Sequence, residues 1–271
     1  MNATVTRTTR DVVTVSGPDA TTYLQGQLSQ DVAALAVGDA AASFVLQPQG
    51  KVDTWMRVDR AAPETFRLDT DAGAGEGLVA RLERFKLRTK IDVELAAAVP
   101  VLAVRGAEVL DGVPCGWPGV VGSDVFDPDP EALPTDLPVD ARPLDLIGYE
   151  ALRIRAGVPR MGAEITDDVI PAELGAWVIE TSVSFTKGCY TGQELVARID
   201  SRGGNVPRHL RGLVGPGLVV GAAVSVGDKE VGVVTSASGE VGLAFLHRSV
   251  EVPSSVVVGG AEVSAVPLPI A

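Results

Sequence analysis

The segment KGCYTGQE, residues 187–194, places a cysteine among residue types that activate a thiol. Cys189 lies shortly before QELVARID, and the apolar spacing of this string predicts a helix over 193–200. Free amide groups and the dipole at the start of a helix favour a thiolate, and Lys187 adds positive charge nearby. We therefore predict that Cys189 is a reactive thiol and that Lys187 assists it.

The glycines and the acid of the segment bear on the same hypothesis. Gly188 and Gly192 permit backbone conformations that residues with a Cβ avoid, so the segment can turn sharply. Glu194 stabilises the helix start but opposes thiolate formation. The alternative is a buried structural cysteine in a tight turn, because free cysteines are among the most buried residues. Cys115, between a proline and a glycine, has no comparable surroundings.

Composition argues against several other kinds of site. The 271 residues include two cysteines, which fit no CxxC spacing, and two histidines, so we expect no metal site, disulfide framework or Ser-His-Asp triad. The net charge of −12 argues against general nucleic-acid binding. The start of the chain shows no apolar run of signal-peptide length, and no window approaches the roughly 18 apolar residues of a membrane span. We expect a soluble, cytoplasmic protein that does not bind membranes.

The charge is unevenly distributed along the chain. Residues 151–211 contain eight basic and seven acidic side chains, so this stretch carries +1 and the remainder carries −13. An anionic small ligand would find its best partners here. The alternative is an ordinary mixed surface.

Periodicity predicts an α+β body followed by a small all-β domain. Strands are predicted at 11–16, 43–46, 52–58, 65–70, 101–106 and 119–126, and helices from residue 17 and at 76–87 and 148–156. After Arg208, short apolar runs at 223–226, 231–235, 255–258 and 262–266 are joined by glycine-containing turns, which are typical of β-hairpins. The order of elements favours helices packed on an antiparallel sheet.

KGCYTGQELVAR closely resembles the signature of the YgfZ-type folate-binding proteins, a branch of the aminomethyltransferase (glycine-cleavage T-protein) superfamily. Beside Lys187 and Cys189, the signature residues are Gly188, Tyr190, Gly192, Gln193 and Glu194. The resemblance covers nearly the whole chain. VSGPDATTYLQGQLSQD is similar to the superfamily's first strand and helix, FVLQPQGKV to its next hairpin, RFKLRTKIDVE to its following helix and strand, and LRIRAGVPRMGAEITDDVIPAE to the segment before the signature.

The resemblance implies two intertwined ferredoxin-like modules over 1–208 and a β-barrel over 209–271, arranged around a folate pocket. It implies binding of tetrahydrofolate or a derivative, and a role in assembling or repairing iron–sulfur proteins, which would be the partners. One thiol cannot supply four cysteine ligands, so any contact with a cluster would be transient or shared. The anionic glutamate tail of folate makes four arginines candidate contacts: Arg153, Arg198, Arg208 and Arg211.

The resemblance also raises the alternative of a folate-dependent one-carbon transferase. Catalytic members carry a carboxylate on the strand after the glycine-rich turn, where an ungapped alignment of QGKVDTWMRV places Thr54. Asp53 is one residue early, and strand alternation would point it away from the pocket unless a one-residue gap intervenes. Arg155 in LRIRAG stands where transferases tend to have an acid. Both differences from the catalytic members weaken the transferase hypothesis. A folate-binding module without thiol chemistry is a third hypothesis.

Overall fold

A computed structural model of the chain describes residues 2–129, 133–201 and 203–270, which form a large sheet with helices and a closed barrel. The strands of the sheet follow the order β2-β3-β4-β1-β5-β7-β6, and β8 adds to β1 in parallel. These strands are β1 (Thr4–Ser16), β2 (Ala40–Leu46), β3 (Val52–Ala62), β4 (Thr65–Asp71), β5 (Asp92–Arg105), β6 (Val113–Pro114), β7 (Gly122–Phe126) and β8 (Arg142–Pro143).

Five α-helices lie between or after these strands in the part of the chain that the structure describes. They are α1 (Ala20–Gln27), α2 (Gly75–Lys86), α3 (Leu146–Ala156), α4 (Ala176–Ser182) and α5 (Gln193–Asp200), and a short 3-10 helix spans Pro171–Glu173. None of the described helices is long and apolar enough to cross a bilayer.

The barrel follows α5 and closes in the order β10-β11-β12-β9-β14-β13, because β13 pairs back to β10. Its strands are β9 (Arg208–Val214), β10 (Ala223–Val226), β11 (Lys229–Ser238), β12 (Val241–His247), β13 (Ser254–Val258) and β14 (Ala261–Val266). The predicted α+β class with a C-terminal β-barrel is confirmed.

Two apolar cores hold the body together and connect it to the barrel. One core packs α1 and α2 on the sheet through the alternating inward residues of β1, such as Val13 and Val15. The other combines sheet residues such as Phe44 with Val196 of α5 and Leu243 of β12. The barrel and the body therefore share one buried core, and α5 is fixed between them.

The structure differs from the sequence prediction at several elements. Helix α1 begins at Ala20, so Pro18 precedes it. Helix α4 and strands β6, β8, β9 and β12 were not predicted. Residues 241–246 of β12 are all buried, so the strand lacks the alternation that reveals a half-exposed strand.

Candidate functional site

Lys187 attaches the KGCYTGQE segment to the end of α1. Its ammonium group donates to the backbone carbonyl oxygens of Gln25 at 2.6 Å, Leu28 at 2.7 Å and Gln30 at 2.9 Å. An ammonium group has three donors, and all three are used here. Burial lowers the pKa of Lys187 to about 8. The carbonyls at a helix C-terminus carry partial negative charge, so this contact also complements the α1 dipole.

Gly192 interlocks the segment with the turn between β2 and β3. Its φ is +83°, and a Cβ at this position would lie 2.5 Å from the carbonyl oxygen of Gln47. Across the contact, Gly50 has a φ of +78° and a Cβ there would lie 2.5 Å from Cβ of Leu195. Gly188 has no positive φ and has open space where a Cβ would be. The close approach therefore requires a glycine at position 192 and does not require one at position 188.

Tyr190 and Gln193 stabilise the start of α5. The Tyr190 N–H donates to Oε1 of Gln193 at 3.2 Å. The Tyr190 ring belongs to the core shared with the barrel, its pKa is raised to about 12 by burial, and the Lys187 ammonium lies 5.2 Å from its centroid. Glu194 is exposed in the first turn of α5. The neighbours of Cys189 are thus held on both sides.

Cys189 itself is exposed. Helix α5 begins at Gln193 with Gly192 as its N-cap, so the thiol precedes the cap and lies outside the first turn. Cys115 is half-buried, its thiol donates to the carbonyl oxygen of Val120 at 3.5 Å, and burial raises its pKa. The two thiols therefore differ in exposure, and Cys189 lies just before the start of α5, as the sequence predicted.

A cavity of about 810 Å³, here called the central cavity, opens beside the main sheet. The chain has three tryptophans, and Trp55, Trp117 and Trp177 all line this cavity, together with Tyr149. Cys115 also lies in its wall. Its charged lining comprises five arginines and three acids, which are Arg10, Arg57, Arg105, Arg153, Arg160, Asp71, Asp124 and Glu150. The lining is therefore net positive in a chain that is strongly acidic.

Most of these arginines are held by carboxylates. Arg57 donates to Asp69 through Nε at 2.8 Å and to Asp124 through Nη1 at 3.0 Å. Arg105 lies 2.9 Å from Asp124, and its guanidinium carbon is 4.3 Å from the Trp117 ring centroid. Although burial opposes ionisation, Arg105, Arg57 and Arg10 hold the pKa of Asp124 below its usual value. This network fixes the shape and charge of one wall.

Arg160 is the cavity arginine with the loosest pairing among those described. It is half-exposed, and its closest ion-pair contact is 3.6 Å to Glu150, so its guanidinium retains capacity for an anionic ligand. The indole N–H of Trp177 has no hydrogen-bond partner among the described residues, but the nitrogen has almost no accessible surface and does not open onto the cavity.

The four arginines predicted from the sequence do not meet in one cavity. Arg153 lines the central cavity, but its five N–H groups donate to Glu150, Val158, Glu164 and Ser236. Arg208 pairs with Glu173 at 3.0 and 3.3 Å and lies over the Phe245 ring. Arg198 is exposed on α5. Arg211 lines a separate cavity of about 490 Å³ beside α4 and α5, here called the second cavity.

The sequence reasoning missed Arg10, Arg57, Arg105 and Arg160. The available signal was a charged residue inside an otherwise apolar strand, as in TWMRV and VLAVR. Such residues face either water or a polar interior, and the strand pattern does not distinguish the two.

The start of β3, where transferases carry their carboxylate, has an irregular local structure in this chain. The pairing of β2 with β3 shifts between Val45 and Leu46, which leaves Asp53 unpaired in a bulge. Asp53 lies 3.3 Å from Arg81 of α2 and lines neither cavity, and Thr54 is buried. Arg155 is exposed and also lines neither cavity. No group of three potential metal ligands occurs among the described residues.

Known proteins resemble this chain in sequence over most of its length. Residues 205–269 match the family described as the CAF17 C-terminal beta-barrel domain. An uncharacterized protein of Haemophilus influenzae is 31% identical over 207 residues, which cover 76% of this chain and 71% of that protein. The tRNA-modifying protein YgfZ of Edwardsiella ictaluri is 28% identical over 71% of this chain and 65% of that protein. The chain belongs to the YgfZ family.

Other relatives of this YgfZ-family chain carry a different name. The iron–sulfur cluster assembly factor IBA57 homolog of Pyricularia oryzae is 30% identical over 72% of this chain and 53% of that protein. The chain thus aligns with slightly less than two thirds of the YgfZ protein and about half of the IBA57 homolog. The crystal structure of aminomethyltransferase T from Bartonella henselae superposes with a TM-score of 0.77 at 20% identity, covering 99% of this chain and 86% of that one. This similarity establishes the aminomethyltransferase-like fold.

Proposed function

We propose that this YgfZ-family chain is a tetrahydrofolate-binding accessory protein that supports the assembly or repair of iron–sulfur proteins, with Cys189 as its reactive thiol. The observation that carries the proposal is the convergence of all three tryptophans and five arginines on the central cavity. Aromatic walls suit a planar heteroaromatic ring, and a net positive lining suits an anionic tail. A reduced folate has both parts.

The structure supports a revised set of folate contacts. The side chain of Trp177 lines the cavity and suits an aromatic contact with the pteridine. Arg160 suits the glutamate tail, because its guanidinium is half-exposed and only loosely paired. Arg153 has no donor to spare, so it supports the cavity wall.

The role of Cys189 rests on its exposure within a fixed segment. Lys187 and Gly192 anchor the segment on either side of the thiol, so a partner meets a defined backbone. The name of the IBA57 homolog refers to iron–sulfur cluster assembly, and we extend that role to this chain. A single thiol acts here as a nucleophile or a transient ligand shared with the partner.

The tRNA-modifying role named for YgfZ relatives fits the same proposal indirectly. Direct binding of tRNA requires a basic surface, whereas this chain carries a net charge of −12 and pairs most arginines of its central cavity with acids. We infer that any effect on tRNA passes through an iron–sulfur protein that this chain supports.

The folate-dependent transferase is the runner-up, and the fold is the observation in its favour. Against it, Asp53 contacts Arg81 in a bulge outside the central cavity, and the ungapped alignment places Thr54 at the family's carboxylate position. If the purified protein turned over glycine-cleavage substrates, the transferase would become the favoured function. Folate binding alone distinguishes neither the accessory protein nor the transferase from a simple folate-binding module.

Calorimetry with tetrahydrofolate tests the cavity. Trp177→Leu removes an aromatic wall of the cavity, so the affinity should fall by roughly two- to tenfold, the usual effect of losing one aromatic contact. Arg160→Gln should weaken binding by a similar factor, and Arg198→Gln is the control because Arg198 is exposed outside the cavity. Absence of saturation by the wild type at millimolar ligand would refute the folate proposal.

Complementation tests the thiol. In a strain that lacks its own gene for this protein, the wild type should restore iron–sulfur enzyme activity, and Cys189→Ala should not, although it binds folate normally. Cys115→Ala is the matched control and should restore activity. Full rescue by Cys189→Ala would leave a folate-binding module without thiol chemistry.

A further inference from the structure

The second cavity lies apart from the central cavity and is mainly apolar. Ile179 of α4, Leu195 and Ile199 of α5, and Phe185 supply much of its wall. Its volume of about 490 Å³ falls within the range of small-molecule sites. No residue of its lining also lines the central cavity, so the two are separate spaces.

Strand β9 brings a cation to this apolar space. His209 and Arg211 are two residues apart, so they face the same side of β9, and both line the second cavity. Arg211 is half-buried and forms no hydrogen bond or ion pair within the described ranges, and burial alone lowers its pKa. His209 likewise donates no side-chain hydrogen bond there, and burial and the neighbouring Arg211 lower its pKa, so the ring is neutral at pH 7.

An unpaired guanidinium partly removed from water is unfavourable, and an anion that enters the cavity relieves that cost. The two acids of the lining, Glu180 and Asp200, are exposed and form no ion pair with Arg211. Because both acids are exposed, solvent screens much of their charge, but they still disfavour a ligand that carries several negative charges. One half-buried cation, apolar walls and two exposed acids together select the ligand class.

We propose that the second cavity binds a small monocarboxylate with an apolar body, with its carboxylate on Arg211 and its body against α4 and α5. The neutral His209 is placed to donate a further hydrogen bond to the carboxylate. This site is independent of the proposed folate site, since the cavities share no wall residue.

A ligand-observed NMR titration with 4-phenylbutanoate tests the site, with 4-phenylbutanol and 4-phenylbutylamine as neutral and cationic counterparts. The carboxylate should bind with a dissociation constant of about a millimolar or below, and about tenfold or more tightly than either counterpart. Arg211→Gln should weaken binding of the carboxylate by about tenfold or more, because charge-assisted hydrogen bonds are lost. Arg198→Gln, on the exposed side of α5, should leave binding unchanged.

A second variant guards against an effect of Arg211 on folding. Ala176→Trp changes an exposed wall residue of the cavity, keeps Arg211, and should block binding by filling the space. Saturation with tetrahydrofolate should leave the titration unchanged. The proposal is overturned if the wild type does not saturate, if the amine binds as well as the carboxylate, if either cavity variant binds normally, or if folate competes.

Discussion

Lys187 illustrates how one side chain in a motif can serve the backbone rather than its chemical neighbour. The sequence places it two residues from Cys189, where its charge would favour a thiolate. In the structure its three donors are directed to carbonyl oxygens of residues 25–30. We interpret Lys187 as a positioning residue that holds the segment on which the thiol stands.

The buried ammonium predicts a pH-dependent contribution to stability. The pKa of Lys187 is about 8 in the folded chain, below its ordinary value of 10.5, because of burial. Between these values the unfolded chain binds more protons, so the free energy of unfolding rises with pH. Urea denaturation should show that the wild type gains stability relative to Lys187→Met between pH 7 and pH 9.5. If the stability difference between the wild type and Lys187→Met stays constant or shrinks over this pH range, the three hydrogen bonds keep the Lys187 ammonium group protonated.

The two cysteines should differ in reactivity. Cys189 is exposed, whereas Cys115 is half-buried and burial raises its pKa. Limiting iodoacetamide at neutral pH, followed by peptide mass spectrometry, should therefore label Cys189 first, and unfolding in urea should reduce the preference. Preferential labelling of Cys115 in the folded protein would remove the chemical basis for a reactive Cys189.

At the scale of elements, the start of α5 and the turn between β2 and β3 form one interlocked unit. Gly192 and Gly50 approach the opposite segment so closely that a Cβ on either would clash. Helix α5 is only eight residues long, and an isolated helix of that length is unstable in water. Its position, and with it the position of the thiol segment, depends on this contact.

The two glycines of the motif provide a matched pair for testing this contact. Gly192→Ala combines a positive φ with a backbone clash and should lower the free energy of unfolding by more than about 2 kcal/mol. Gly188→Ala has neither problem and should change it by less than about 0.5 kcal/mol. Thermal or urea denaturation measures both. Equal effects of the two substitutions would argue that the contact does not hold α5.

At the scale of the whole molecule, a buried ionic network joins the body to the barrel. Arg153 of α3 donates to Ser236 of β11 at 2.7 Å, and Ser236 donates to Glu164 at 2.6 Å. Arg153 also lies 3.2 Å from Glu164, whose side chain has no exposed surface. The arginine that the sequence suggested for folate thus connects two parts of the fold.

Removing this arginine should be costly. Arg153→Met would leave Glu164 buried without its cation, and breaking a buried pair in this way usually costs about 3–5 kcal/mol. Arg198→Met changes an exposed arginine and should cost less than about 0.5 kcal/mol. Urea denaturation monitored by tryptophan fluorescence compares the two. A small effect of Arg153→Met would show that barrel and body are joined mainly by their apolar core.

The amino-acid sequence by itself determined what depends on neighbours along the chain. Alternation predicted most strands, and the apolar spacing after Gly192 predicted α5 over its observed residues. The motif and its resemblance predicted the family and the fold, which the comparisons support. Local pattern also located the exposed cysteine in a turn before a helix, because glycine and helix signals act over a few residues.

Only the tertiary structure decided which side chains meet. Lys187 contacts Gln25 across 162 positions, and Arg153 contacts Ser236 across 83, and no local periodicity encodes such pairs. The same reason explains why the four arginines predicted from one stretch of sequence have different surroundings. Arg153 lies in the wall of the central cavity, Arg208 pairs with Glu173, Arg198 is exposed, and Arg211 lines the second cavity. The three tryptophans are also far apart in sequence, and strand β3, the connection between β6 and β7, and helix α4 bring them together. Long-range packing therefore defined both cavities, whereas the sequence identified the segment that carries the thiol.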